Sequence, residues 1–246
     1  MEPIKTILIT GVSGGIGKSI ASYFKKNNFN VVGTDIENPK ELDIVDTFIQ
    51  LDLDLFCTDE TYRKEKTDVL SNSINSLDIL VNNAAVQILD HLEELKLSDW
   101  QKSLNVNLTA PLLLSQLFLN KLIQVSGSIV NIGSIHQQLT KPRFLSYATS
   151  KSALIGMTKA MAVDLQNKVR VNAISPAAIE TDMLRAGFNY EENAIDKLRE
   201  IHPVQKIGDP KEIACLVFFL ASQNKSFLHG ANIQMDGGIS SVLHDI

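Results

Sequence analysis

The sequence has only two cysteines, Cys57 and Cys215, far apart and without nearby ligand partners. That excludes a disulfide framework or a thiolate metal site and leaves two thiols expected in the core. The five histidines, His91, His136, His202, His229 and His244, show no metal-ligand spacing. Positive charge is also short: 23 Lys and Arg against 28 Asp and Glu give a net charge of -5. With no basic cluster, this argues against a nucleic-acid surface. No apolar run is read as membrane-spanning, and the N-terminus enters Lys5-Thr6-Ile7-Leu8-Ile9 without a secretory leader, so the expected location is the cytoplasm. The glycosylation acceptor patterns at Asn107 and Asn224 are set aside for the same reason. Repeats, low-complexity tracts and Gly/Ser/Pro linkers are missing, so residues 1–246 are expected to form one domain.

What is present begins with Tyr147-Ala148-Thr149-Ser150-Lys151. On a helix, positions i and i+4 share one face. A fixed ammonium beside a phenol favours the phenolate, which predicts a tyrosine acid/base with a lowered pKa. Around it, short apolar runs alternate with longer amphipathic stretches. The runs are Thr6–Thr10, Asn30–Thr34, Phe48–Asp52, Ile79–Asn82, Ser128–Ile132, Arg170–Ile174 and Asn232–Met235. Helices are clearest at Gly17–Lys26, Asp99–Leu122, Ser146–Gln166 and Pro210–Ala221. This alternation predicts an α/β fold: a Rossmann-like, doubly wound parallel sheet of about seven strands with helices on both faces. The Glu37–Thr47 crossover is too short for a full helix.

The turn after the first strand reads Thr10-Gly11-Val12-Ser13-Gly14-Gly15-Ile16-Gly17 and opens a helix. Glycines let the backbone approach a phosphate, and the helix N-terminus offers free N–H groups to a pyrophosphate. Asp35 follows 18 residues beyond Gly17, where a carboxylate can accept hydrogen bonds from a ribose. Two other phosphate motifs fail: Ile20 stands where Gly-x-Gly-x-x-Gly needs its last glycine, and Val12 where a P-loop ending in Gly17-Lys18-Ser19 needs its first.

These residues together resemble the short-chain dehydrogenase/reductase family in its single-domain form. Thr10, Gly11, Gly15 and Gly17 match its glycine pattern, and Asp52-Leu53 looks like its adenine-side pair. Asn82-Asn83-Ala84-Ala85 resembles its Asn-Asn-Ala-Gly, Asn107 its helix asparagine, and Ser134 stands 13 residues before Tyr147. Pro176-Ala177, Thr181-Asp182-Met183 and Met235-Asp236-Gly237-Gly238 continue the match. The resemblance implies a catalytic set of Asn107, Ser134, Tyr147 and Lys151. It implies a cofactor site of Gly11, Ser13, Gly14, Gly15, Ile16, Gly17, Asp35, Asp52, Leu53, Asn83, Ala84, Pro176, Ile179 and Thr181, with Tyr147 and Lys151 shared. Tyr147 would exchange the substrate proton, Lys151 would lower the tyrosine pKa and bind the nicotinamide ribose, and Ser134 would hold the substrate oxygen. Asn107 would hold a water linking Lys151 to solvent, and Thr181 would bind the carboxamide. Ala85 and Ala177 depart from family glycines, and Gly133 replaces a frequent serine, a change read as neutral.

The implied protein interconverts a secondary alcohol and a ketone on a small, polar substrate, with no metal. Asp35 favours NAD(H) over NADP(H), since a 2′-phosphate would meet like charge. Gln87, His136, Arg143 and Met183 are the substrate candidates. Residues 1–130 would form the cofactor half and 131–246 the catalytic half, with a mobile lid at 183–206. The apolar stretches Leu112–Phe118 and Val217–Leu220 suggest self-association, expected as a homotetramer. An idle NAD-binding regulator is the alternative, although it would not need all four catalytic residues; a phosphotransferase leaves Asp35 unexplained.

Overall fold

A computed structural model describes residues 3–38, 42–222 and 227–243; the Asn224 acceptor pattern and His244 lie outside them. Seven parallel strands run β1 (Thr6–Thr10), β2 (Asn30–Asp35), β3 (Thr47–Gln50), β4 (Ile79–Asn82), β5 (Ser128–Ile132), β6 (Arg170–Pro176) and β7 (Asn232–Met235). They form one sheet in the order β3-β2-β1-β4-β5-β6-β7. The alternation of side chains along a strand sends neighbouring residues to opposite faces. In β1, Ile7 and Ile9 therefore enter one core and Leu8 the other, all fully buried. Helix α1 (Gly15–Lys26) covers the first face together with Pro210–Ser222, while Ala110–Gln124 and Leu145–Leu165 cover the second.

The intervening helices are α2 (Leu53–Thr58), α3 (Glu60–Ser73), α4 (Leu97–Leu104), α5 (Ala110–Gln124), α6 (Leu145–Leu165), α7 (Asp182–Gly187), α8 (Glu192–Ile201) and α9 (Pro210–Ser222). The third strand ends earlier than the apolar run suggests, because Asp52 caps α2 by accepting from the N–H groups of Asp54 (2.9 Å) and Leu55 (3.1 Å). Helix α3 escaped the sequence reading because Leu70 is its one buried residue, leaving no apolar stripe to see. The Glu37–Thr47 crossover carries only a 3-10 turn at Leu42–Ile44 among its described residues.

The single helix expected over Asp99–Leu122 is interrupted. Asn105–Thr109 forms a π turn between α4 and α5, with Ala110 N–H bonded to Asn105 C=O. Just beyond it, Pro111 has no N–H to give to the carbonyl of Asn107 four residues back. The whole run Leu97–Gln124 is long and apolar enough to cross a membrane, contrary to the sequence expectation. Here Leu114, Phe118 and Leu122 are fully buried against the sheet.

The apolar stretches taken for an oligomer face mostly serve this chain's own core. Val217 and Leu220 are buried, and Phe218 meets Tyr23, Phe24 and Phe29 edge-on at 5.3–6.0 Å between ring centroids. Phe219 (50% exposed) and Leu112 (37%) remain outside. The cysteines divide likewise. Cys57 is half-buried, and burial, followed by the charge of Asp54, pushes its thiol up to about 12; Cys215 is exposed, contrary to expectation.

Candidate active site

The crevice opens where strand order reverses, between the C-terminal ends of β1 and β4, the usual ligand position in such sheets. A cavity of about 850 Å³ lies there. The glycine turn lines one end: Gly11, Ser13, Gly14, Gly15, Ile16 and Gly17, with Asp35, Ile36 and Glu37 beside it. Asn83, Ala84, Ala85, Pro176, Ala177, Ile179 and Thr181 line the middle. Ser134, Tyr147, Lys151, Gln87, His136 and Met183 line the far end. Asp52, Leu53, Asn107 and Arg143 are not brought to the cavity wall. Asp52 is spent on its helix cap and Leu53 is buried in the core. Arg143 is exposed, and its guanidinium donates to the Leu89 carbonyl at 3.0 Å.

The turn fits a dinucleotide. A Cβ on Gly17 would stand 2.1 Å from the Gly11 carbonyl oxygen, and one on Gly15 would stand 2.8 Å from Thr181 Cγ2. Gly14 caps α1 without a side-chain hydrogen bond, so the first N–H groups of the helix remain available to an anion. Asn83 Nδ2 fixes the turn by donating to the carbonyls of Thr10 (2.9 Å) and Gly11 (3.0 Å). Asp35 Oδ2 accepts from Ser13 N–H at 2.9 Å, which holds the carboxylate at the adenosine end. Ala85 and Ala177 add methyl groups to the wall without closing the cavity. Gly133 is not the neutral position expected. A Cβ there would lie 2.8 Å from Ser175 Oγ and 3.2 Å from the Ile174 carbonyl, so serine fits poorly.

At the far end, α6 places Tyr147 and Lys151 one turn apart, both buried. Lys151 Nζ donates to the Ile132 carbonyl at 2.7 Å and stands 5.7 Å from the Tyr147 ring centroid. Burial lowers the Lys151 pKa to about 8. Burial also raises the Tyr147 pKa, with the Ser134 hydroxyl pulling the other way. The expected lowering of the phenol by Lys151 is therefore not what this geometry gives: desolvation of the phenolate outweighs the nearby ammonium. Ser134 ends β5 in extended conformation and accepts from His136 N–H at 3.2 Å.

The Asn107 side chain is committed within the protein. Its Oδ1 accepts from Val86 N–H (2.9 Å), and its Nδ2 donates to Val86 C=O (3.0 Å) and to Ser150 Oγ (3.0 Å). Both amide protons are used, so the side chain clamps the loop after β4 to α6. Any relay at this position would run through the main-chain carbonyl that Pro111 leaves without an α-helical donor.

His136 stacks on Phe144, with centroids 4.3 Å apart, and meets Tyr147 edge-on at 5.7 Å. Burial and the Lys141 ammonium push its pKa down to about 4, so it faces the cavity neutral. Lys141, also on the wall, was missed because a loop lysine gives no sequence signal beyond solvation. Residues 183–206 fold into α7, α8 and a following turn. Arg185 and Arg199 tie these helices together through Glu180 and Glu192. The ends of the segment meet: Ile179 and Gly208 face each other across a parallel bridge, with Gly208 N–H bonded to Ala178 C=O and Glu180 N–H to Gly208 C=O.

The family described as "Enoyl-(Acyl carrier protein) reductase" matches residues 11–240. Glucose 1-dehydrogenase 2 of Bacillus subtilis (strain 168) is 32% identical over 248 residues, spanning 96% of this chain and 95% of that protein. The ligand-free structure of Thermoplasma acidophilum aldohexose dehydrogenase superposes with a TM-score of 0.91 at 31% identity, covering 99% of this chain and 96% of that one. The structure of ElxO with NADP bound superposes at 0.85 with 33% identity, covering 98% and 100%.

Proposed function

This chain belongs to the short-chain dehydrogenase/reductase family, and from that premise we propose that it is a cytoplasmic NAD(H)-dependent oxidoreductase interconverting a secondary alcohol and a ketone on a small, polar substrate. The observation that carries the reading is convergence: Ser134, Tyr147 and Lys151 share one cavity with the glycine cradle. The nicotinamide cofactor supplies or receives the hydride. The protein's part is position and proton transfer. Ser134 Oγ holds the substrate oxygen, the Tyr147 hydroxyl gives or takes its proton, and the Lys151 ammonium stabilises the phenolate left behind. Turnover of a panel of ketones with NADH and NADPH tests this; no consumption of either cofactor across the panel would sink it.

The preference for NAD(H) rests on charge at the adenosine end. Asp35 and Glu37 line the wall there, and the cavity's lysines among the described residues, Lys141 and Lys151, come from the second half of the chain. A 2′-phosphate beside Asp35 would be repelled. ElxO, with NADP bound, shows that a similar fold accepts the phosphorylated form, so the test is direct. The wild type is expected to give a higher kcat/KM with NADH than with NADPH, and Asp35→Ala to narrow that ratio by about tenfold or more, one pKa-sized electrostatic increment. A wild type that prefers NADPH would overturn the assignment.

We also read the molecule as a homotetramer, with residues 1–130 as its cofactor half and 131–246 as its catalytic half. The support is the apolar surface left outside its own core: Phe219, Leu112 and Val163, the last 75% exposed. Light scattering at micromolar concentration should return four times the chain mass of 27.1 kDa. A monomer mass would refute it.

A further inference from the structure

Among the described residues, the cavity holds one lysine that the proton machinery does not use. Lys141 lies between Ser134 and α6, and its Nζ stands 4.7 Å from the Phe144 ring centroid and 5.2 Å from that of Phe188. Phe144 belongs to the cavity floor and Phe188 follows α7 in the lid, so both sides present a ring face to the ammonium. Ring faces attract a cation but satisfy none of its three N–H donors in the way an oxygen does. Among the described residues no carboxylate forms an ion pair with Lys141. Burial between the rings lowers its pKa, as expected of an ammonium short of counter-charge. Among the described residues that line the cavity, the other basic groups are already placed: His136 is neutral, Lys151 donates to the Ile132 carbonyl, and His202 Nδ1 meets the Leu198 carbonyl at 2.6 Å.

The geometry points to Lys141 as a specificity-determining residue that receives the carboxylate of an oxo acid or hydroxy acid while the reacting oxygen meets Ser134 and Tyr147. This rests on the oxidoreductase reading above. A single ammonium in neutral surroundings matches a monoanion; a phosphate, with about two charges and three strong acceptor oxygens, calls for more donors than this wall offers. A charge-assisted bond from Nζ would also exchange ring contacts for an oxygen, and so couple occupancy of the cavity to the position of Phe188.

The test is calorimetric binding of three probes to the protein saturated with nicotinamide cofactor: 3-oxobutanoate, its ethyl ester, and 3-oxobutyl phosphate. The wild type is expected to bind the acid about 10–100-fold more tightly than the ester, the range for a hydrogen bond to a charged group. Lys141→Met should erase that ratio, and Lys141→Arg should keep most of it; unchanged thermal melting confirms that both variants fold. Equal binding of acid and ester by the wild type, a ratio that survives Lys141→Met, or tighter binding of the phosphate than of the carboxylate would each overturn the assignment. Turnover of the same probes reads the other question. Discrimination without any turnover would sink the oxidoreductase reading and leave Lys141 standing. Turnover without discrimination would do the reverse.

Discussion

Tyr147→Phe is expected to lower kcat by about 10²–10⁴-fold or more, the usual contribution of a positioned acid/base. Cofactor affinity should stay near wild type. The phenol is buried at the far end of the cavity, and the substitution removes one oxygen without opening a void in α6. The ring's edge contacts with His136 and Phe144, at 5.7 and 6.1 Å, are retained by phenylalanine. The loss should therefore fall on the chemical step and not on folding. Stopped-flow binding of the reduced cofactor beside steady-state rates separates the two. Near-wild-type kcat in Tyr147→Phe would mean that another group moves the proton, and the mechanism would be wrong.

Lys151→Met should damage both steps and change the pH profile. The lysine pKa is about 8, so the ammonium is charged below that pH and progressively neutral above it. Reduction of a ketone leaves a phenolate at Tyr147, which the charged form stabilises. For the wild type, kcat/KM for reduction should accordingly fall as pH rises through about 8, since that parameter reports ionisations of the free enzyme. In Lys151→Met the limb should vanish, with rates about 10²-fold or more below the wild-type plateau. Methionine replaces a fully buried side chain at similar length, so the fold should survive. A variant that keeps the same descending limb would assign that ionisation elsewhere.

The sheet was legible because its central strands β1, β4 and β5 are buried on both faces and read as nearly unbroken apolar runs. All seven runs, including Thr6–Thr10 and Asn232–Met235, begin and end within two residues of the strands observed. The glycine turn was legible because Gly11 and Gly17 occupy places no side chain can share: positive φ at the first, a carbonyl contact at the second. What sequence could not give was the competition between neighbours. Asp52 is claimed by a helix cap, Arg143 by a carbonyl, and the Asn107 side chain by Val86 and Ser150. Spacing placed Tyr147 beside Lys151 but said nothing of burial, which moves both pKa values against their charged forms. Lys141 illustrates the converse: an unremarkable loop residue acquires a chemical environment only when Phe144 and Phe188 close around it.

The bridge between Ile179 and Gly208 has an evolutionary reading. Residues 180–207 begin and end at one isolated bridge beyond the strands of the sheet. Lengthening a flexible connection in such an excursion costs only about 0.6 kcal/mol of closure entropy for each doubling. The segment is thus closed at its own ends: it can be rebuilt or extended while the strands, the glycine turn and the tyrosine–lysine turn stay in register. New substrates can be acquired at the rim without renegotiating the chemistry beneath it.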